Sequence, residues 1–271
     1  IDSIVTDHHL ISSERPDAVA IINPHAPTSK YPFLHLTGVG MALKFAQALL
    51  ADENPDNWAD DLLELAAIGT ITDMAPLLGE NRYIVAKGIE HLQSTKNLGL
   101  QTLLQSIRVT AKHATAETIG FAIGPRLNAA GRLGHAETAY KLLMTNDPVE
   151  ADSLVSKLQA TNILRQELTE DTLKESKLLI DEISSDTKVI MVGSEKFNLG
   201  VVGLVAGKLV QEFGLPSVVY SINGESITAS CRSAPGFHWM EALNNCADLL
   251  NRYGGHAQAA GFTCPLANIN E

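Results

Sequence analysis

The chain has 271 residues, 45% hydrophobic and 19% charged, with 20 basic against 31 acidic side chains and a net charge of −11. That length and apolar content suffice for one large or two medium domains, and they exclude disorder, which needs low hydrophobicity together with high net charge. The acidity disfavours a protein that holds nucleic acid by bulk electrostatics, but not an enzyme that grips phosphates with bound metal ions and a few placed arginines.

The opening Ile1-Asp2-Ser3-Ile4-Val5 has neither the basic nor the apolar region of a signal peptide. It lacks an initiator Met and begins in strand-like sequence, so the chain reads as a fragment. Residues 3–6 form a short β-prone run that stops at Asp7-His8-His9. Apolar spacing predicts helices over 38–50, about 59–69, 81–93 and 98–107, so the first hundred residues look like the back half of an α/β domain. Asp147-Pro148-Val149-Glu150 is a helix start, with Asp as N-cap, Pro at the first position and Glu two further on. No Gly or Pro follows until Gly193, which predicts one long helix over 148–182, spanning about 50 Å at ~1.5 Å per residue. A break into two helices is the alternative. After 186 the pattern turns β/α again: strands over 188–192, 217–221 and 226–231, and helices over 201–213 and 240–250. The predicted domains are 1–110, a helical segment 111–146, a connecting helix 147–185, and 186–271. No stretch of about 18 apolar residues exists to cross a membrane. Cys231, Cys246 and Cys264 are odd in number and lack CxxC spacing, which predicts buried small hydrophobes in a reducing cytoplasm.

Four groups could do chemistry. Asp7-His8-His9 gathers carboxylate and imidazole where a strand ends, a place where α/β proteins build sites, and the set suits Mn²⁺ or a similar ion. Neighbours on an extended chain point oppositely, so only one of the two histidines is expected to share a metal across a cleft. Asp73 follows a hydrophobic helix; with His8 it makes too few ligands for a two-metal hydrolase. Arg126 and Arg132 flank Asn128 and several small residues, a segment able to bring guanidinium groups to phosphates. Ser230-Cys231-Arg232-Ser233 follows a strand and Gly254-Gly255-His256 a helix; together they suggest one phosphate pocket, the glycines allowing close backbone approach. Read singly, each group is also an ordinary turn, cap or surface loop.

In this order the segments resemble the DHH phosphoesterase superfamily, and within it the branch of single-strand-specific DNA exonucleases. Asp7-His8-His9 matches the namesake motif. Asn23-Pro24-His25 with Tyr31-Pro32-Phe33, Gly69 to Leu77 with Gly79-Glu80-Asn81-Arg82, and Gly124 to Leu133 are similar to the motifs that follow it. Gly200-Val201-Val202-Gly203, Ser230 to Ser233 and Gly254-Gly255-His256 match the DHH-associated second domain.

The resemblance implies an α/β fold: a partial DHH domain and a DHH-associated domain, joined by the long helix with the active-site cleft between them. It implies hydrolysis of single-stranded DNA from the 5′ end with Mn²⁺ or Mg²⁺, in DNA repair and recombination. His8 and Asp73 would be metal ligands, His9 would face the scissile phosphate and Asp7 would orient it. Asn128, Arg132, Ser230, Arg232, Gly254, Gly255 and His256 would hold the DNA backbone and a phosphate. Single-strand-binding protein or a helicase are the implied partners, and a monomer the expected state. The family's site also uses aspartates upstream of the DHH triplet, so the chain alone is expected to be nearly inactive. Competing readings are a nanoRNase or oligonucleotide phosphatase, a cyclic-dinucleotide phosphodiesterase, or a non-catalytic scaffold of the same superfamily.

Overall fold

Two short β-branched runs, Ile4–Thr6 (β1) and Ala20–Ile22 (β2), pair in parallel with Ile4 opposite Ala20. The computed structural model describes residues 1–11, 15–50, 60–180 and 186–270, and divides them into two units. The first unit comprises residues 1–131 and 135–159, the second 132–134 and 160–271.

In the first unit β1 and β2 are followed by α1 (Gly38–Leu50), α2 (Asp60–Thr72), α3 (Gly79–Leu92) and α4 (Leu98–Ser106). The predicted helices fall on these with end shifts of a few residues; residue 59 lies outside the described set. Leu36, Met41, Leu43, Leu63, Ala66 and Ile84 bury together, joining α1, α2 and α3. A larger cluster collects Leu92, Leu100, Leu103, Leu104, Ile119, Ile123 and Leu142, and burying each such side chain stabilises by ~1.5–3 kcal/mol before entropy is counted. Beyond α4 the chain forms α5 (Ala116–Thr118), a π-helical turn at Ile119–Ile123, α6 (Gly124–Leu133) and α7 (Glu137–Met144).

Helix α8 (Pro148–Leu179) is continuous over 32 residues, so the two-helix alternative does not hold. The Asp147 carboxylate accepts from the Val149 N–H at 2.9 Å, the capping its sequence predicts, whereas Glu150 accepts from the Thr145 hydroxyl instead of closing a capping box. Ala151, Val155 and Leu158 pack into the first unit's core, and Leu173 against a cluster of the second. Residues 181 and 182 of the predicted helix lie outside the described set.

The second unit is a five-stranded sheet of order β3-β4-β5-β7-β6, with β3 (Ile190–Ser194) parallel to β4 (Ser217–Asn223) and the other pairs antiparallel. Helix α9 (Leu199–Phe213) crosses between β3 and β4, capped by the Asn198 side chain on the Gly200 N–H and ended by Gly214 at φ +68°. It covers one face with Val202, Val205, Ala206 and Leu209 over Ile190, Val192 and Val219. On the other face Trp239 and Leu243 of α10 (Trp239–Asn245) pack on Ile227, Ala229 and Cys231 of β5 (Ser226–Arg232) and on Phe262. The helix predicted over 240–250 is thus shorter, and Gly254-Gly255, read from sequence as a turn, lies in β6 (Arg252–Gly255), which pairs with β7 (Ala259–Pro265). Cys231 and Cys264 are buried as expected, but Cys246 is exposed. No described helix is long and apolar enough to cross a membrane.

Candidate functional site

Asp7 lies one residue beyond β1 and Asn23 one residue beyond β2, both at carboxyl ends of the parallel pair, where strand termini leave backbone groups free to shape a site. The Asp7 N–H donates to the Ile22 carbonyl at 3.0 Å, tying the two ends together. Asp7 Oδ1 lies 2.7 Å from Nδ1 of His9, and its Oδ2 accepts from Asn23 Nδ2 at 3.3 Å. The same Nδ2 donates to the His9 carbonyl at 2.9 Å, while Asn23 Oδ1 accepts from the His25 N–H at 2.8 Å. Asn23, only 5% exposed, is therefore a clamp: the sequence placed it in a motif but did not show this role, since an Asn before Pro also looks like a turn residue. Burial raises the Asp7 pKa, but hydrogen bonds from the His9 ring and from the His9 and His8 backbone outweigh it and hold the carboxyl below its usual value. The His8 and His9 rings lie 4.4 Å apart, tilted by 46°. The opposed orientation expected of an extended chain does not occur, because β1 ends at Thr6 and the triplet is already off the strand.

His8, Asp73 and Asn128 line one cavity of about 300 Å³ together with Thr37, Gly38, Val39, Gly69 and Thr72. The amino-terminal end of α1 reaches His8: a side-chain carbon at Gly38 would sit 3.5 Å from the His8 ring. Asp73 caps the end of α2, its N–H donating to the Gly69 carbonyl at 2.9 Å. The next residue, Met74, has φ +57° and is 89% exposed, a left-handed non-glycine backbone of the kind that clusters at functional sites. Asn128 comes within reach because α6 passes close to α2: a carbon added at Gly124 would meet Thr72 Cγ2 at 2.4 Å.

His8 and Asp73 are the hard-to-borderline donors that Mn²⁺ or Mg²⁺ takes, so their chemistry fits such an ion. They are two, however, and among the described residues no group of three or more His, Cys, Asp or Glu is placed to hold a metal.

Two other motifs are scaffold. The Tyr31 hydroxyl donates to Glu80 Oε2 at 2.5 Å, and Lys44 Nζ to Glu80 Oε1 at 3.1 Å. Asn81, fully buried, donates to the carbonyls of His35 and Pro76, pinning the chain just after Asp73. Arg126 is also tied within the first unit, to Gln159 Oε1 at 2.7 Å and the Ala122 carbonyl at 2.8 Å. Arg132, its sequence neighbour in the same motif, falls in the second unit.

In the second unit the sheet register sets a row of polar and small residues. Ser230 lies opposite Gly261, which lies opposite Gly254; Arg232 lies opposite Ala259, whose carbonyl accepts from the His256 N–H at 2.8 Å. Alternation puts Ser230 and Arg232 on the face away from Cys231 and Ala229, towards α9. There a carbon added at Gly203 would stand 2.9 Å from Arg232 Nη2 and 3.3 Å from Ser230 Oγ, so the guanidinium lies close along the helix and would have to shift for a larger residue. Gly255 has φ +143°, and a carbon there would sit 2.4 Å from the Ala259 carbonyl. Arg232 Nη1 is fixed on the Cys231 carbonyl at 2.8 Å.

Residues 1–70 match the family model described as the DHH family, N-terminal domain, and residues 186–271 match the DHHA1 domain. The chain belongs to the DHH family. Within it, the chain is 42% identical over 271 residues to the single-stranded-DNA-specific exonuclease RecJ of Bacillus subtilis, covering 99% of this chain and 34% of that protein. It is 33% identical over 283 residues to RecJ of Salmonella typhimurium, covering 97% and 49%. The structure of RecJ from Thermus thermophilus in complex with Mn²⁺ superposes with a TM-score of 0.85 at 34% identity, covering 98% of this chain and 39% of that one. The chain thus spans a third to a half of the curated relatives it matches.

Proposed function

We propose that this chain is the core of a 5′-to-3′ exonuclease that hydrolyses single-stranded DNA to 5′ mononucleotides, in repair and recombination. The observation that carries the reading is the meeting of His8, Asp73 and Asn128 in one cavity beside an His9 ring held by Asp7. The names of the relatives, and the Mn²⁺ in the Thermus structure, support it.

His8 and Asp73 would hold the divalent ion, which when bound supplies charge neutralisation and an activated water. His9, fixed by the Asp7 carboxylate through Nδ1, turns its other nitrogen outward, where it can donate to a phosphate or leaving oxygen. Asp7 keeps that ring in one orientation, and Asn23 keeps Asp7 in place. Asn128 offers an amide to the backbone of a bound strand. Ser230, Arg232 and Arg132, with the Gly254-Gly255 backbone and His256, make the second unit's phosphate grip. A cytoplasmic monomer that meets single-strand-binding protein or a helicase belongs to the same reading.

The test uses the 271-residue chain and a form extended by the segment that precedes the DHH triplet in the relatives. Each is incubated with Mn²⁺ and a 3′-labelled, 5′-phosphorylated DNA as single strand and as duplex, and with a short RNA. The extended form should shorten only the single strand, from its 5′ end, and His9→Ala should slow it by ~10²–10⁴-fold. The unextended chain should be nearly inactive, having two metal donors. Cleavage of the short RNA alone would move the protein to the nanoRNase class, and no cleavage by the extended form would favour a scaffold.

A further inference from the structure

Phe121 lies outside every motif singled out in the sequence, and it is 81% exposed. A single apolar side chain in water is ordinary on a protein surface. What sets Phe121 apart is how it is held. It sits in the π-helical turn Ile119–Ile123, which closes with the Gly124 N–H donating to the Ile119 carbonyl. Such wide turns are rare and recur at functional sites. Ile119 and Ile123 are both fully buried, so the turn is anchored from within while Phe121 points away from the core.

Helical register puts Phe121 on the face that carries Asn128. Positions 121, 125 and 128 follow one another at steps of four and three; Phe121 and Asn128 are exposed with Pro125 half-buried between them, while Ala129 and Ala130 turn inward. Asn128 lines the cavity of His8 and Asp73, and at ~1.5 Å rise per residue Phe121 stands roughly 10 Å along the helix from it. The other side of the segment is fixed against α2. Carbons added at Gly120 and Gly124 would lie 3.6 Å from Ile71 Cγ2 and 2.4 Å from Thr72 Cγ2, at the end of α2 that leads into Asp73. Met74, whose N–H donates to the Ile71 carbonyl at 3.1 Å, is the other large apolar side chain exposed at that end.

We propose that Phe121 is a stacking platform for a base of the bound strand, close to the nucleotide whose backbone meets Asn128. A chain of net charge −11 gains little affinity for nucleic acid from bulk charge. Stacking of a base on an aromatic ring needs no charge, and it tolerates any sequence because every base has a π-face. Inside a duplex both faces of a base are covered by its neighbours, so a ring fixed on a packed helix segment takes only the unstacked bases of a single strand. Phe121 is in this way a specificity-determining residue. The inference rests on the nuclease reading for its ligand, a single strand of nucleic acid.

The experiment needs no metal and no turnover. Binding of a 3′-fluorescein oligothymidylate to the 271-residue chain is measured by anisotropy in EDTA, beside an abasic strand of the same length. The base-bearing strand should bind more tightly. Phe121→Ala should weaken it roughly tenfold, the order of one lost base–aromatic stack, and leave the abasic strand unchanged. Phe121→Trp should keep the affinity, and Phe121→Leu, equally apolar but without a ring face, should behave as Ala. Equal affinity of the unmutated chain for the two strands overturns the proposal, as does an F121A variant that weakens both equally or neither, or an F121L variant as tight as the unmutated chain. A second measurement covers a variant that misfolds: the fluorescence of F121W is compared with that of the unmutated chain, whose two tryptophans are common to both. The added indole should be quenched by the base-bearing strand and not by the abasic one; an indole that neither strand quenches also overturns the proposal. Failure of the nuclease reading would show only in the Mn²⁺ cleavage assay and would leave these titrations as they stand.

Discussion

Glu80 shows what one side chain of a motif can do without touching a site. It takes a hydrogen bond from the Tyr31 hydroxyl and an ion pair from Lys44 across 49 and 36 residues of sequence, and so ties the segment after Asn23 and helix α1 to the start of α3. Burial raises the Tyr31 pKa and the Glu80 carboxylate raises it further. For Lys44, burial lowers the pKa but the bonds to Glu80 and Tyr31 prevail, and the net direction is upward. Both groups are therefore protonated more firmly in the folded chain than in the unfolded one. Their contribution is complete below the ordinary values of 10.0 and 10.5 and is lost as pH rises through the folded ones. Glu80→Gln should remove most of the Lys44 part. Melting temperatures taken from about pH 8 to 11 should fall more steeply for the unmutated chain than for E80Q; parallel curves would show that the triad contributes nothing. Sequence could place Glu80 in a motif but could not say that its role is to hold rather than to react, since its partners lie far along the chain. The same holds for Asn23.

At the level of elements, close packing rests on glycines that let backbones touch. Gly99, in the first turn of α4, faces the Leu142 carbonyl of α7, and an added carbon would lie 1.9 Å from that oxygen. Backbone cannot yield as a side-chain tip can, so Gly99→Ala should separate the two helices and cost about 1–3 kcal/mol. Gly207, inside α9, has open space where a side chain would go, and Gly207→Ala should stabilise by roughly 0.5–1 kcal/mol through the unfolded chain's lost freedom. Urea midpoints of the two variants should move in opposite directions. Helices were the legible part of this fold for a related reason. Val39, Leu43 and Ala46 repeat at helical spacing, and Asp147-Pro148 marks a start locally, so α1 and α8 begin where they are predicted. Strands β2, β6 and β7 were not legible. Ala20–Ile22 is three residues long and Arg252–Gly255 ends in two glycines, so neither shows alternation; each is a strand only because a distant partner supplies the ladder.

For the whole molecule the question is how a chain of net charge −11 could hold a polyanion. The described contacts suggest an answer by placement rather than by bulk. Arg132 and Arg232 fall in one unit, while Arg126 is spent on Gln159 and Lys44 on Glu80. On the proposed reading, the remaining net negative charge disfavours loosely held phosphates and leaves affinity for phosphate to those few bonds. Such binding has a distinct salt dependence. Each neutralised phosphate charge on a single strand contributes about −0.7 to the slope of log K against log salt, so the two guanidiniums of the proposed grip, Arg132 and Arg232, give a slope near −1.4. Anisotropy titrations of the 5′-phosphorylated strand over a range of NaCl, in EDTA, should return that shallow slope, and Arg232→Gln should bring it closer to −0.7 by removing about one charge. A slope of about −5 or steeper would mean a diffuse basic surface doing the binding. That outcome would contradict the placement argument, in a chain whose acidic residues outnumber its basic ones by 31 to 20.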